Sequence, residues 1–133
     1  MTHRCIRVAA IAGCILAHRL PAQAVAPPDP AGAWRGTSVC QVRPSACHDE
    51  VVVYRIAPTT TRDSLTMDAR KIVGGEEEEM GVLGCRLDAP TARLTCSMPN
   101  GVWRFAIRGD SLVGDLRLPD GTRYREVRAA RSR

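Results

Sequence analysis

The sequence predicts an all-β fold: a small eight-stranded antiparallel up-and-down barrel with two disulfides. Short runs in which apolar and polar residues alternate predict half-buried strands. Glycine, proline, asparagine and aspartate stand between these runs, as they do in tight turns. Each run is joined to the next by a short link. This favours a meander, because a Greek key needs at least one long connection.

The first three strand candidates follow a proline-rich leader. Residues 34–41 begin with tryptophan and form the first candidate. Residues 49–57 contain three consecutive valines, which are β-branched and typical of strands, and the proline-led segment 58–61 ends that run. Residues 64–73 alternate, with leucine, methionine and alanine on one face and threonine, aspartate and arginine on the other.

The next two candidates, residues 80–87 and 93–98, form a predicted hairpin. Cys85 and Cys96 face each other across it, which suits the geometry of a disulfide. Four glutamates at 76–79 precede the hairpin, and their mutual repulsion predicts a solvated loop. A calcium or cationic-partner site is the alternative, although a run lacks the spaced ligands of a calcium loop.

The last three candidates form a meander joined by Gly-Asp and Pro-Asp-Gly turns. Residues 102–108 place tryptophan, phenylalanine and isoleucine on one face, and residues 111–118 place three leucines and a glycine in one row. Residues 122–128 alternate less regularly, and the basic tail at 129–133 is predicted to fray. The glycines within strands suit the bends of a small closed barrel.

Residues 1–24 have the three parts of a secretory signal peptide. Arginines precede an apolar run of ten residues, and a small-residue site ends at Ala24, where we expect cleavage. The run is too short to span a bilayer. Arg7 leaves little apolar sequence before Cys14, so anchoring as a lipoprotein is not expected. The sequence thus predicts a periplasmic or secreted protein that has a flexible leader at 25–31 and the barrel at 32–128.

Four of the six cysteines remain after cleavage, and an even number in an exported chain predicts two disulfides. Three pairings are open. We favour Cys40–Cys47 and Cys85–Cys96, because the members of each pair are close in sequence and straddle a turn. Zinc is the alternative, but neither pair has the short spacing of a zinc knuckle.

Charge and chemistry exclude several functional classes. Cleavage leaves 16 basic and 14 acidic residues, and so small an excess of positive charge does not indicate the concentrated basic face that nucleic-acid binding needs. His48, beside Asp49 and Glu50, is the one histidine after cleavage, and we interpret it as a polar strand entry rather than a metal or acid-base site. No nucleophile elbow or phosphate loop is present. We therefore expect a monomer that is not an enzyme, with no cofactor, metal or membrane span.

The apolar residues of the strands could line a pocket or fill the interior, because an eight-stranded barrel is just wide enough for either. So short a domain needs its apolar residues for stability, and this favours a filled core. The candidate pocket-lining residues are Trp34, Val52, Tyr54, Met67, Leu83, Trp103, Phe105, Leu116 and Tyr124.

An eight-stranded meander opened by Gly32-Ala33-Trp34 resembles the lipocalin and wider calycin group. The pattern GAWRGTS-V-C, then PSAC-HDEVVVY, and the ending W-F-I-GD-L-G-L-LPDG-YR are similar to small exported bacterial domains described as lipocalin-like or uncharacterised. The resemblance implies that Trp34 plugs one end of the barrel, beside Arg125 or Arg128 of the last strand. It also implies that the barrel binds a small apolar molecule.

Two functional hypotheses follow. The first is a binding module that holds a small apolar ligand at the mouth of the barrel. The second is an interaction protein of the cell envelope, such as a hydrolase inhibitor, acting through the leader, the Cys40–Cys47 loop and the glutamate run. An open interior cavity would favour the first. A solid core with an exposed apolar patch near the leader would favour the second.

Overall fold

Eight antiparallel strands run up and down in chain order and close into a barrel, as predicted, with two disulfides. The structure is a computed structural model that describes residues 20–133. Residues 1–19, which hold most of the predicted signal peptide and Cys14, lie outside the described residues. The strands are β1 (Gly32–Cys40), β2 (Glu50–Pro58), β3 (Ser64–Val73), β4 (Glu76–Asp88), β5 (Arg93–Met98), β6 (Gly101–Arg108), β7 (Ser111–Arg117) and β8 (Arg123–Arg131).

The barrel closes because β1 pairs with β2 on one side and with β8 on the other. Gly36 lies at this seam, opposite Ala129 of β8, and a Cβ atom there would lie 1.9 Å from the carbonyl oxygen of Arg128. No residue other than glycine lets the two backbones approach so closely. We call the end of the barrel where β1 begins the Trp34 end, and the end where β1 finishes the mouth.

The Trp34 end is packed and held by hydrogen bonds. Trp34 is fully buried, and its Nε1 donates to the carbonyl oxygen of Pro30 at 2.9 Å. The guanidinium carbon of Arg131 lies 4.2 Å from the centre of the Trp34 ring. Arg131 also donates to the carbonyl oxygens of Asp29 and Ala31. The leader is therefore attached to the barrel where it enters β1.

The basic neighbour of Trp34 is Arg131, and the prediction of Arg125 or Arg128 is wrong. The predicted barrel end at residue 128 and the frayed tail are also wrong, because β8 continues to Arg131. Residues 129–131 pair with β1, and 129–130 also pair with β7. The two alanines there carry little strand propensity, so pairing on both sides fixes their conformation.

The predicted loop at the glutamate run is instead the start of β4. The turn is confined to Gly74 and Gly75, whose φ angles of 58° and 87° favour glycine. The glutamates oppose the end of β3, which offers them cations: Glu77 forms ion pairs with Arg55 and Arg70, and Glu78 lies near Lys71. These partners offset the repulsion that the sequence alone suggests.

The two predicted disulfides, Cys40–Cys47 and Cys85–Cys96, are confirmed. The first closes the loop between β1 and β2 at the mouth. The second joins directly opposed residues of β4 and β5, and both of its cysteines belong to the main hydrophobic core. The core disulfide thus fixes the register of the hairpin in which it lies.

We predict that Cys85→Ala/Cys96→Ala lowers the free energy of unfolding by about 3 kcal/mol, from lost loop constraint alone. Loss of two packed sulfur atoms from the core adds to this. The control, Cys40→Ala/Cys47→Ala, should be less destabilising, because it opens a loop with a separation of 7 rather than 11 residues. Urea unfolding followed by far-ultraviolet circular dichroism measures both. A larger loss in the control would contradict the prediction.

Candidate functional site

A cavity of about 280 Å³ occupies the mouth half of the barrel, and all eight strands contribute to its wall. The structure brings together most of the residues that the sequence singled out. Those that line the cavity are Tyr54, Met67, Leu83, Trp103, Phe105, Leu116 and Tyr124. Trp34 and Val52 do not. Trp34 fills the opposite end, and Val52 is fully buried in the core.

The expected filled core is therefore only half correct. Large side chains such as Trp34, Leu94 and Leu112 fill the Trp34 end and are fully buried. The wall of the cavity includes the short side chains of Ser38 and Ala69 and also Gly81, and these leave the interior hollow. The barrel is packed at one end and open at the other because the inward-facing residues differ in size along its axis.

The sequence did not identify several residues that line the cavity. Two lie at or beside irregularities in strand pairing: Met80 has no partner between the paired residues of β3 and β4, and Arg125 follows an unpaired Tyr124 in β8. Strict alternation cannot locate such bulges. The residues missed are Ser38, Glu50, Ala69, Met80, Gly81, Met98 and Arg125.

Arg125 organises a polar cluster at the mouth. Its Nη1 donates to the hydroxyl oxygen of Ser38 at 3.1 Å and to the carbonyl oxygen of His48 at 3.1 Å. It also lies 3.3 Å from a carboxylate oxygen of Glu50. The side chains of Arg125 and Glu50 are only 14% and 21% exposed, so the ion pair is partly shielded from water. His48 takes part through its backbone rather than its imidazole.

Tyr54 brings a hydroxyl to the wall of the cavity. The residue is only 3% exposed, and none of the hydrogen bonds among residues 20–133 involves its hydroxyl. Burial strongly raises the pKa of the phenol. The charge of Arg125 lowers that pKa, and the charge of Glu50 raises it. Tyr54 is therefore uncharged at neutral pH and presents an O–H donor.

Aromatic rings form one side of the cavity. The ring of Phe105 stacks on that of Trp103 with centroids 5.5 Å apart, and it meets the ring of Tyr54 edge to face at 5.9 Å. Such pairs are stabilising in both arrangements and restrain the rings. The cavity therefore combines a rigid apolar wall with polar groups at the mouth.

Within residues 20–133, no group of three or more histidine, cysteine or acidic side chains is placed to hold a metal ion. The same part of the chain contains no helix of the length and hydropathy needed to cross a membrane. Comparisons with protein-family models, with curated proteins and with solved structures find no match for the chain. The closed eight-stranded antiparallel topology is consistent with a lipocalin-like barrel.

Proposed function

We propose that this protein is an exported, lipocalin-like barrel that binds one small, largely apolar molecule at its mouth. The observation that carries the proposal is the hollow mouth half, with a volume of about 280 Å³. That volume is close to the lower end of known ligand pockets, roughly 300 Å³. At about 30 Å³ for each molecule of liquid water, it has the volume of about nine water molecules. The two disulfides support an oxidising compartment.

The energetics of a small barrel support the same proposal. Met67, Leu83 and Phe105 pack in the core but also present part of their surface to the cavity. Each square ångström of apolar surface that a ligand removes from water contributes about 25 cal/mol. A domain of this size has little stability in reserve. A bound apolar molecule therefore restores the burial that the hollow interior lacks.

Ala69→Phe tests the proposal by filling the cavity. Ala69 is buried and lines the cavity, so the added ring occupies the space of the ligand. We expect at least a tenfold loss of affinity for 1-octanol, a nine-heavy-atom probe, in isothermal titration calorimetry, or about 1.4 kcal/mol. Ala57→Phe is the matched control, because Ala57 is exposed on β2. The Ala57→Phe protein should bind 1-octanol with wild-type affinity. Equal binding by both variants would rule out the cavity as the site.

Native mass spectrometry of the purified, exported protein supplies an independent measurement. The proposal predicts an adduct of about the size that the cavity holds, released on unfolding. A well-folded sample with no adduct that also fails to bind 1-octanol would refute it. A folded sample that binds only added ligand would retain the proposal but show weak natural occupancy.

A protein that acts on a partner in the cell envelope, such as a hydrolase inhibitor, is the second candidate. It is supported by exposed apolar side chains in β3 and β4, where Val73, Met80 and Val82 are 46%, 43% and 60% exposed. Such exposure marks contact surfaces when it is contiguous. This candidate predicts that the protein slows lysozyme or a trypsin-like protease and that Val82→Lys relieves the effect. No slowing of either would count against it.

A further inference from the structure

The polar groups at the mouth restrict the chemistry of the ligand, and this inference rests on the proposed binding function. The cavity is apolar along most of its wall, but it meets Arg125, Glu50, Ser38 and Tyr54 near the mouth. A ligand that fills the apolar part therefore places its own polar group against these residues. Their charge and hydrogen-bonding capacity decide which polar group is accepted.

The two charges of the cluster compensate each other. The guanidinium of Arg125 and the carboxylate of Glu50 form an ion pair at 3.3 Å, and both line the cavity. At Tyr54, also on the wall, the two charges act on the phenol in opposite directions. The polar end of the cavity thus carries no net charge. Ser38 adds a neutral hydroxyl that already accepts a hydrogen bond from Arg125.

Tyr54 offers the ligand a hydroxyl that takes part in no hydrogen bond among residues 20–133, whereas the hydroxyl of Ser38 already accepts one from Arg125. Tyr54 is 3% exposed and lines the cavity. Its unused O–H can donate to the ligand, so an acceptor atom is favoured over an apolar atom at that position.

We propose that the site selects an uncharged ligand: an apolar body with one hydrogen-bond acceptor, such as an alcohol, ketone or ester oxygen, bound by the hydroxyl of Tyr54. A carboxylate ligand brings a second anion beside Glu50. An ammonium ligand brings a second cation beside Arg125. Each leaves a partly buried charge without a counterion, which is strongly disfavoured, whereas a neutral acceptor leaves the ion pair intact.

A matched series of eight-carbon probes tests this selectivity. The wild-type protein is titrated at pH 7 with 1-octanol, octanoate and octylammonium by isothermal titration calorimetry. We expect 1-octanol to bind at least about tenfold more tightly than either ion. Tyr54→Phe should lower the affinity for 1-octanol about three- to tenfold, which is the usual effect of losing one neutral hydrogen bond. Octanoate or octylammonium as the tightest wild-type ligand would overturn the inference.

Glu50→Gln is the decisive variant, because it removes the compensating anion and keeps a side chain of the same shape. Arg125 then carries an unbalanced charge, so octanoate should gain at least about tenfold in affinity relative to 1-octanol. Glu126→Gln is the control, since Glu126 forms an ion pair with Arg128 on the outer surface and makes the same change in net charge. It should leave the ratio of octanoate to 1-octanol affinity unchanged.

The outcomes separate the inference from the function on which it rests. If Glu50→Gln folds, as near-ultraviolet circular dichroism reports, and the ratio of octanoate to 1-octanol affinity does not rise, the inference is overturned and the binding function stands. If no probe binds to the wild type or to either variant, the binding function fails, and the inference fails with it. If Glu50→Gln does not fold, the wild-type and Tyr54→Phe titrations decide.

Discussion

Gly36→Ala is expected to prevent the barrel from closing. The added Cβ would lie 1.9 Å from the carbonyl oxygen of Arg128 and 2.5 Å from the Cα of Ala129, and both atoms belong to the backbone of β8. Backbone atoms cannot rotate away as a side chain does, so β1 and β8 must separate. Overpacking typically lowers the free energy of unfolding by about 1–3 kcal/mol, and here we expect a fall of at least about 3 kcal/mol.

Gly84→Ala is the matched control for this prediction. Gly84 lies in β4 with a φ angle that other residues adopt, and an added Cβ meets no heavy atom within 4 Å. Its effect should stay within about 0.5 kcal/mol. Urea unfolding followed by far-ultraviolet circular dichroism compares the two variants. A Gly36→Ala protein that unfolds at the wild-type midpoint would show that the seam tolerates separation.

Trp34→Ala is also expected to destabilise the barrel strongly. Trp34 is fully buried, donates to Pro30 and lies beneath the guanidinium of Arg131. Removing it leaves a cavity at the packed end and releases both the leader and the end of β8. We expect the free energy of unfolding to fall by about 3–5 kcal/mol. Thermal unfolding followed by circular dichroism measures it without relying on tryptophan fluorescence.

Trp34→Phe provides the control, because it keeps an aromatic ring beneath Arg131 and removes the N–H donor. Its free energy of unfolding should fall clearly less than that of the alanine variant. Both variants should bind 1-octanol with wild-type affinity at a temperature where they are folded, since Trp34 does not line the cavity. A fall in affinity without unfolding would show that the packed end and the mouth are energetically coupled.

The alternation of apolar and polar residues was enough to predict the fold. Side chains two residues apart share a face, so the closing meander placed Phe105 inside, and Cys85 and Cys96 met across a hairpin. The short links then left an up-and-down order as the simplest topology. The favoured cysteine pairs followed from closeness in sequence, and the structure has both.

The candidate site was harder to predict, because it depends on contacts between distant strands. The bulge at Leu116 and Arg117 sets which residues of β8 face inward, and no feature of the sequence marks it. Nothing in their own strands distinguishes Ser38 and Ala69 from other small residues. The interior is hollow there because both lie on the wall of the same cavity. The strand at the glutamate run depends in the same way on cations from β2 and β3.

The hydrogen bonds from Arg131 to the leader form late in folding. They join residues 100 and 102 positions apart, and the pairing of β1 with β8 spans nearly the same length of chain. Contacts this distant form late, because a long loop must close first. Until β8 has been synthesised, β1 keeps an unpaired edge that can associate with other chains. The cysteine pairs are close in sequence, so each can join its own segment before the barrel closes.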